Sequence, residues 1–168
     1  MLVAAQSPMI VVISGVAGVG KTTVGQALAV ALGWMFYDAD DLHTPEARER
    51  MHRGEALTDT LRQPWLDRVR AVLVHAAERG ENAVVACSAL KQQYRDMLSG
   101  GLPVRFVFLS ADADVLRARL QQRTDHFAGV ALLESQLATL ELPSNALTLD
   151  ATLPVDALVA QIRRILGM

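Results

Sequence analysis

The stretch Gly15-Val16-Ala17-Gly18-Val19-Gly20-Lys21-Thr22, followed by Thr23, fits the spacing G-x-x-x-x-G-K-[ST] at every fixed position. Glycines let the backbone curl until successive N–H groups converge on phosphate oxygens. A helix that starts at the lysine adds partial positive charge at its N-terminus. Lys21 can then reach the β- and γ-phosphates, and the Thr22 hydroxyl can ligate Mg²⁺. A glycine-rich turn can also be plain structure. Here a short apolar run, Met9 to Ser14, leads in and a helically spaced segment leads out, which is the context a phosphate cradle needs. The pattern implies a nucleoside triphosphate with magnesium. A guanine switch is disfavoured, because Asn82 and Asn145 are the only asparagines and neither precedes a lysine.

Carboxylates come next. Asp38-Ala-Asp40-Asp41-Leu-His43 follows a second apolar stretch. In a parallel sheet the C-terminal end of such a strand opens onto the ligand crevice. Asp38 and Asp40 are two apart, so they point the same way while strand geometry persists. Asp38 could hold a magnesium-bound water, and Asp40 could accept a hydrogen bond from an attacking hydroxyl and orient it. Asp41 reads as a helix-start residue, where aspartate is favoured anyway. His43 reads equally as a substrate ligand or a polar turn residue.

Cations supply the remainder. Of 16 basic residues only Lys21 and Lys91 are lysines. Lys91 and Arg95 are four apart, which on one helix face could hold an anionic acceptor, or could equally be a solvated basic face. Ser88 could cap that helix or bond a magnesium water. Cys87 reads as a small buried apolar side chain. Further on, Arg119 and Arg123 are also four apart. One such arginine can stabilise charge on a transferring phosphoryl group, and the other can stack on adenine. Arg117 reads as surface.

These groups need a scaffold to bring them together. Apolar β-rich runs at Met9–Ser14, Trp34–Tyr37, Ala83–Cys87, Pro103–Leu109 and Leu147–Asp150 predict five strands. Helical spacing predicts helices over Thr22–Leu32, 45–54, Pro64–Arg79, Lys91–Leu98, Ala113–Gln122, Ala131–Leu140 and Val155–Leu166. Pro64 is placed in the first turn of its helix. The alternation argues an α/β fold, with a parallel sheet covered by helices on both faces. No repeat or linker divides the chain, so residues 1–168 read as one domain. Segments 41–62 and 123–135 read as pieces covering a site, and Thr124–Gly129 as a lid that excludes water.

Composition narrows the classes. The chain has 168 residues, 51% hydrophobic and 20% charged, which excludes a disordered tail. A net charge of -2 gives no sign of a nucleic-acid footprint. No apolar run is long enough to span a bilayer, and the start lacks the basic region of a signal peptide. One cysteine excludes an intramolecular disulfide framework and fits a reducing compartment.

Together the motifs resemble the small-molecule kinases of the P-loop NTPase class, and most closely the gluconate kinase family. GVAGVGKTTVGQALA, FYDADDLH, LTDTLRQPWL, CSALKQQYRD, and RTDHF followed by LLESQLATLELP carry the resemblance, over about Ile10 to Pro143. A shikimate kinase would show a glycine triplet where this chain has Cys87-Ser88-Ala89. The resemblance implies a three-layer α/β/α domain with a mobile lid. It implies ATP- and Mg²⁺-dependent phosphorylation of D-gluconate at its 6-hydroxyl, in a cytoplasmic, dimeric enzyme. The family's motif positions fall on Gly15 to Thr22, Asp40, His43, Lys91, Arg95, Arg123, His126 and Gln136. In this reading the substrate carboxylate takes a cation (Lys91, Arg95 or Arg62), and its hydroxyls take acceptors at Asp40, His43 and Gln136. The loop Asp150–Pro154 is a candidate adenine contact by position. Departures from the family pattern include Ala17 and Val19 for serines, Thr60 and Leu61 for carboxylates, and Asp125 for a glycine. They bear on efficiency and substrate range rather than reaction class. Two alternatives stay open: a kinase of another small acceptor, and a nucleotide-binding protein without catalysis.

Overall fold

A computed structural model describes residues 7–123, 126–144 and 146–168, the side chains of residues 126–128 excepted. Five parallel strands form one sheet: β1 (Ile10–Ser14), β2 (Met35–Asp38), β3 (Ala83–Ala86), β4 (Val104–Ser110) and β5 (Leu147–Asp150). Their spatial order is β2-β3-β1-β4-β5, so β1 lies in the middle. Ile10–Ser14 is buried throughout, as a strand covered on both faces must be. Its side chains alternate between two cores. Val11 and Ile13 join Val24, Leu28, Leu116 and Leu158 on one face. Ile10 and Val12 join Trp65, Leu66, Val69 and Leu98 on the other. The result is the three-layer α/β/α arrangement expected.

The helices are α1 (Lys21–Leu32), α2 (Pro45–His52), α3 (Asp59–Glu78), α4 (Gln92–Ser99), α5 (Ala113–Gln121), α6 (His126–Thr139) and α7 (Val155–Leu166). Two differ from the expected bounds by more than two residues. α3 starts five residues before Pro64, which is left inside the helix. The Thr58 hydroxyl caps it by accepting the Leu61 N–H at 3.2 Å, and this cap, rather than the proline, marks the start. α6 begins at His126, so the second half of the expected lid is helical. Apolar spacing alone missed that turn, because His126 and Gly129 interrupt it.

The sheet brings the C-terminal ends of β1, β2 and β3 side by side. Asp38 is in register with Ala86, and Ile13 with Ala86 on the other side. The loops leaving these ends carry the phosphate cradle, the aspartates and Ser88. α6 packs on α5 and reaches α2, which closes a basin above those ends.

Candidate active site

The cradle follows from the backbone. The chain leaves β1 at Gly15 with φ +141°, and a Cβ there would lie 2.7 Å from the Leu109 carbonyl oxygen and 2.9 Å from Val19 Cγ2. Only glycine fits. Val16 and Val19 peg the loop into the core, with 3% and 2% exposure, and Gly20 sits at the start of α1. Lys21 folds back so that Nζ donates to the Val16 carbonyl at 3.1 Å. Burial pulls its pKa below the ordinary lysine value, and the carboxylates of Asp40 and Asp38 oppose that.

Strand geometry ends at Asp38, so the expected same-side pairing of Asp38 and Asp40 does not hold. Residues Ala39–Leu42 form a short 3-10 turn. Asp38 faces the cradle, where the Thr22 hydroxyl donates to its Oδ2 at 2.7 Å. Its Oδ1 accepts the Asp40 N–H at 2.9 Å and caps the turn. Asp40 opens instead into a cavity of about 560 Å³, shared with Lys21, His43, Arg62, Arg123 and Gln136. α3 fixes this turn from beneath. Trp65 Nε1 donates to the Ala39 carbonyl and Arg68 Nε to the Leu42 carbonyl, each at 2.7 Å.

Loss of water around Asp40 raises its pKa. Asp38 and Asp41 push the same way, and Lys21 and Arg48 pull back. A raised carboxylate is a better proton acceptor near neutral pH. His43 stacks on Trp65 with ring centroids 4.5 Å apart and an interplanar angle of 7°. Burial, helped by Arg68, Arg48 and Arg62, lowers its pKa to about 4, so it is neutral. Its Nδ1 is buried without a hydrogen-bond partner among the described residues. Such an atom in a cavity wall is a ready contact for a hydroxyl.

Comparison with known proteins settles the family. A family model described as Shikimate kinase matches residues 17–144. A gluconokinase of Gluconobacter oxydans (strain 621H) is 46% identical over 139 residues, covering 82% of this chain and 78% of that protein. The chain belongs to the gluconokinase family. A solved gluconokinase from Sinorhizobium meliloti 1021 superposes with a TM-score of 0.78 at 37% identity, covering 96% of this chain and 97% of that one. An unliganded sugar kinase from Janibacter sp. HTCC2649 gives 0.87 at 39% identity, covering 95% of each chain.

Within this gluconokinase fold the expected site residues divide. Gly18, Gly20, Lys21, Thr22, Thr23, Asp40, His43, Arg62, Arg123 and Gln136 line the cavity, as does Ala17. Gln136 meets the cradle first, because its Oε1 accepts the Ala17 N–H at 2.7 Å. That bond uses one of the two lone pairs of the oxygen and fixes the side chain, so the amide can offer its NH₂ as well as the remaining lone pair to a ligand. Arg119 braces the loop rather than lining the cavity. Its Nη1 donates to the Gly18 and Val19 carbonyls at 3.2 and 3.5 Å, and its Nη2 to the Ala151 carbonyl at 2.8 Å. This brings the loop Asp150–Pro154 beside the cradle.

Lys91 and Arg95 do not share a ligand-facing surface. Lys91 precedes α4 and pairs with Asp59. Arg95 is 3% exposed and donates to the carbonyls of Ala89, Leu90 and Glu141. Ala89 has φ +43°, an uncommon conformation for a residue with a side chain. Arg95 is thus a clamp on the turn after β3. Four-residue spacing could not separate a clamp from a ligand. Arg117 pairs with Asp114 and Glu134 at the surface, as expected. Burial pushes the Cys87 thiol up to about 12, so it is inert. Asp41 lies in the first turn of the short 3-10 segment, as a helix-start residue does, and is 3.8 Å from Arg48. Ser88 lines the cavity. The side chain of His126, with Thr124 and Asp125, lies outside the described residues.

Sequence reasoning missed Arg48, which reaches the cavity from α2. The expected helix over 45–54 belongs to the segment read as covering a site, but no motif spacing singles Arg48 out within it. Trp65 carries the turn and His43, and its place in the RQPWL stretch was the available signal.

Proposed function

We propose that the chain transfers the γ-phosphoryl group of ATP to the 6-hydroxyl of D-gluconate, giving 6-phospho-D-gluconate and ADP. The observation that carries this is one cavity in which the cradle lysine, the Asp40 carboxylate and the Arg62 and Arg123 guanidiniums share a wall. A triphosphate cradled by Lys21 presents its γ-phosphorus to an acceptor held beyond it. Asp40 takes the proton of the acceptor hydroxyl as its oxygen bonds to phosphorus and the bond to the β-phosphate bridging oxygen breaks. Arg123 and Lys21 stabilise the charge that develops on the transferring group. His43 and the Gln136 amide contact acceptor hydroxyls. The water-excluding lid expected at Thr124–Gly129 belongs to this reading, although Thr124 and Asp125 lie outside the described residues.

The Thr22 hydroxyl and the Asp38 carboxylate suit a hard cation such as Mg²⁺, which takes few protein oxygens and completes its shell with phosphates and water. Mg²⁺ supplies charge neutralisation to the phosphates when bound. The same reading carries a cytoplasmic homodimer, with no nucleic-acid or membrane partner. No helix of the described residues is long and apolar enough to cross a membrane.

Phosphorus NMR of the product tests the position of transfer. A phosphate on the primary 6-carbon couples to two protons and gives a triplet. A doublet, from a secondary carbon, contradicts the assignment.

A further inference from the structure

Three cations were candidates for an anionic group on the acceptor, and two are committed elsewhere. Arg95 is spent on backbone carbonyls and Lys91 on Asp59. Arg62 alone of the three lines the cavity. Its side chain is only 14% exposed, and it is held by an arrangement that no reading of the family motif above assigns. Arg62 Nη1 donates to the Tyr94 hydroxyl at 2.6 Å. Tyr94 in turn donates to Asp59 Oδ1 in a short hydrogen bond. Lys91 Nζ donates to both Asp59 oxygens, at 3.3 and 3.2 Å. Both cations also lie over the Tyr94 ring, at 5.1 Å for Arg62 and 5.6 Å for Lys91.

The direct separation of Arg62 from Asp59 is 3.6 Å, too long for a hydrogen bond. Tyr94 is therefore a bridge: it accepts from the guanidinium and donates its own O–H to the carboxylate, keeping its proton. The cluster contains two cations and one anion. Lys91 takes both oxygens of that anion, so the Arg62 charge is only partly met. Among the described residues, Arg62 Nε and Nη2 have no hydrogen-bond partner. A planar fork with two free nitrogens beside a cavity is suited to a carboxylate.

Resting on the proposed gluconate reading, we infer that Arg62 is the specificity residue for the acceptor's carboxylate, and that Tyr94 and Asp59 are positioning residues that aim it. Lys91 neutralises Asp59 and so prevents Asp59 from capturing Arg62 outright. The lysine contributes to acid recognition without touching the acid. Recognition by charge predicts discrimination between gluconate and D-gluconamide, which has the same hydroxyls but a neutral amide in place of the carboxylate.

The test is steady-state kinetics on both acceptors, with wild type, Arg62→Met, Tyr94→Phe and Asp59→Asn. Arg62→Met should raise KM for gluconate by at least ~30-fold, as loss of one partner of a desolvated charge pair does. Its kcat should fall far less, and the preference for gluconate over gluconamide should collapse. Tyr94→Phe removes one oxygen and keeps the core packing. It should raise KM for gluconate by about 3- to 10-fold, leaving KM for gluconamide unchanged. Asp59→Asn should move the same ratio in the same direction. A purely structural role for Tyr94 would lower thermal stability and leave the acceptor ratio intact, and that result overturns the bridge. If wild type prefers gluconate and Arg62→Met keeps that preference, the carboxylate assignment is wrong while the function stands. Wild type without gluconate-stimulated turnover overturns both.

Discussion

Asp40→Asn removes a charge and a proton acceptor while keeping the side chain's size. Because Asp40 lines the cavity and its carboxylate makes no hydrogen bond to the cradle among the described residues, the acceptor role proposed for it predicts a loss in turnover. We expect kcat to drop by ~10²- to 10⁴-fold, the range for loss of a general base. Nucleotide affinity, read by fluorescence titration, should stay within about threefold. Equal losses in both would remove Asp40 from the acceptor role. His43 gives a pH prediction at the same scale. Its folded pKa of about 4 lies below the unfolded value of 6.5, so the unfolded chain binds more protons between them. Stability therefore rises with pH over that window, and is lost as pH falls through it. His43→Gln cannot titrate. Between pH 7.5 and 5 the melting temperature of wild type should fall further than that of the variant. An equal fall in both would mean that His43 is not held neutral.

The elements show what the residues depend on. The turn after β3 carries Ala89 at positive φ, and Arg95 holds the Ala89, Leu90 and Glu141 carbonyls together. Arg95→Met should cost about 3 kcal/mol in urea unfolding, because buried carbonyls lose their donor. A loss within experimental error would return Arg95 to the pool of ligand candidates. Thr58→Ala should cost about 1 kcal/mol through the α3 cap. Strands and cradle were legible in the sequence because both are local patterns, an apolar run and a fixed glycine spacing. The start of α3 was also written there, in Thr58, but Pro64 masked it. Lys91 and Arg95 were not legible. Spacing places residues on a helix face, yet cannot say whether that face meets a cavity or a neighbouring backbone. Arg48 and the Tyr94 bridge depend on contacts between α2, α3 and α4 that no single segment encodes.

At the scale of the whole molecule, the sheet order puts β1 between β3 and β4, which seats the phosphate cradle at the centre of the C-terminal edge. The Asp40 turn leaves β2 on one side, and α5 delivers Arg123 from the other. The cradle, Asp40 and Arg123 thus line one basin. Membership of the gluconokinase family and this geometry lead to the same central claim, that gluconate is the acceptor. A coupled ADP-release assay with Mg²⁺-ATP tests it most directly, comparing D-gluconate, shikimate, AMP, other sugar acids and no acceptor. Strong stimulation by gluconate, with shikimate and AMP at the background rate, is the predicted result. Stimulation by another acceptor and not by gluconate, or ATP binding with no acceptor-dependent ADP release, would contradict it.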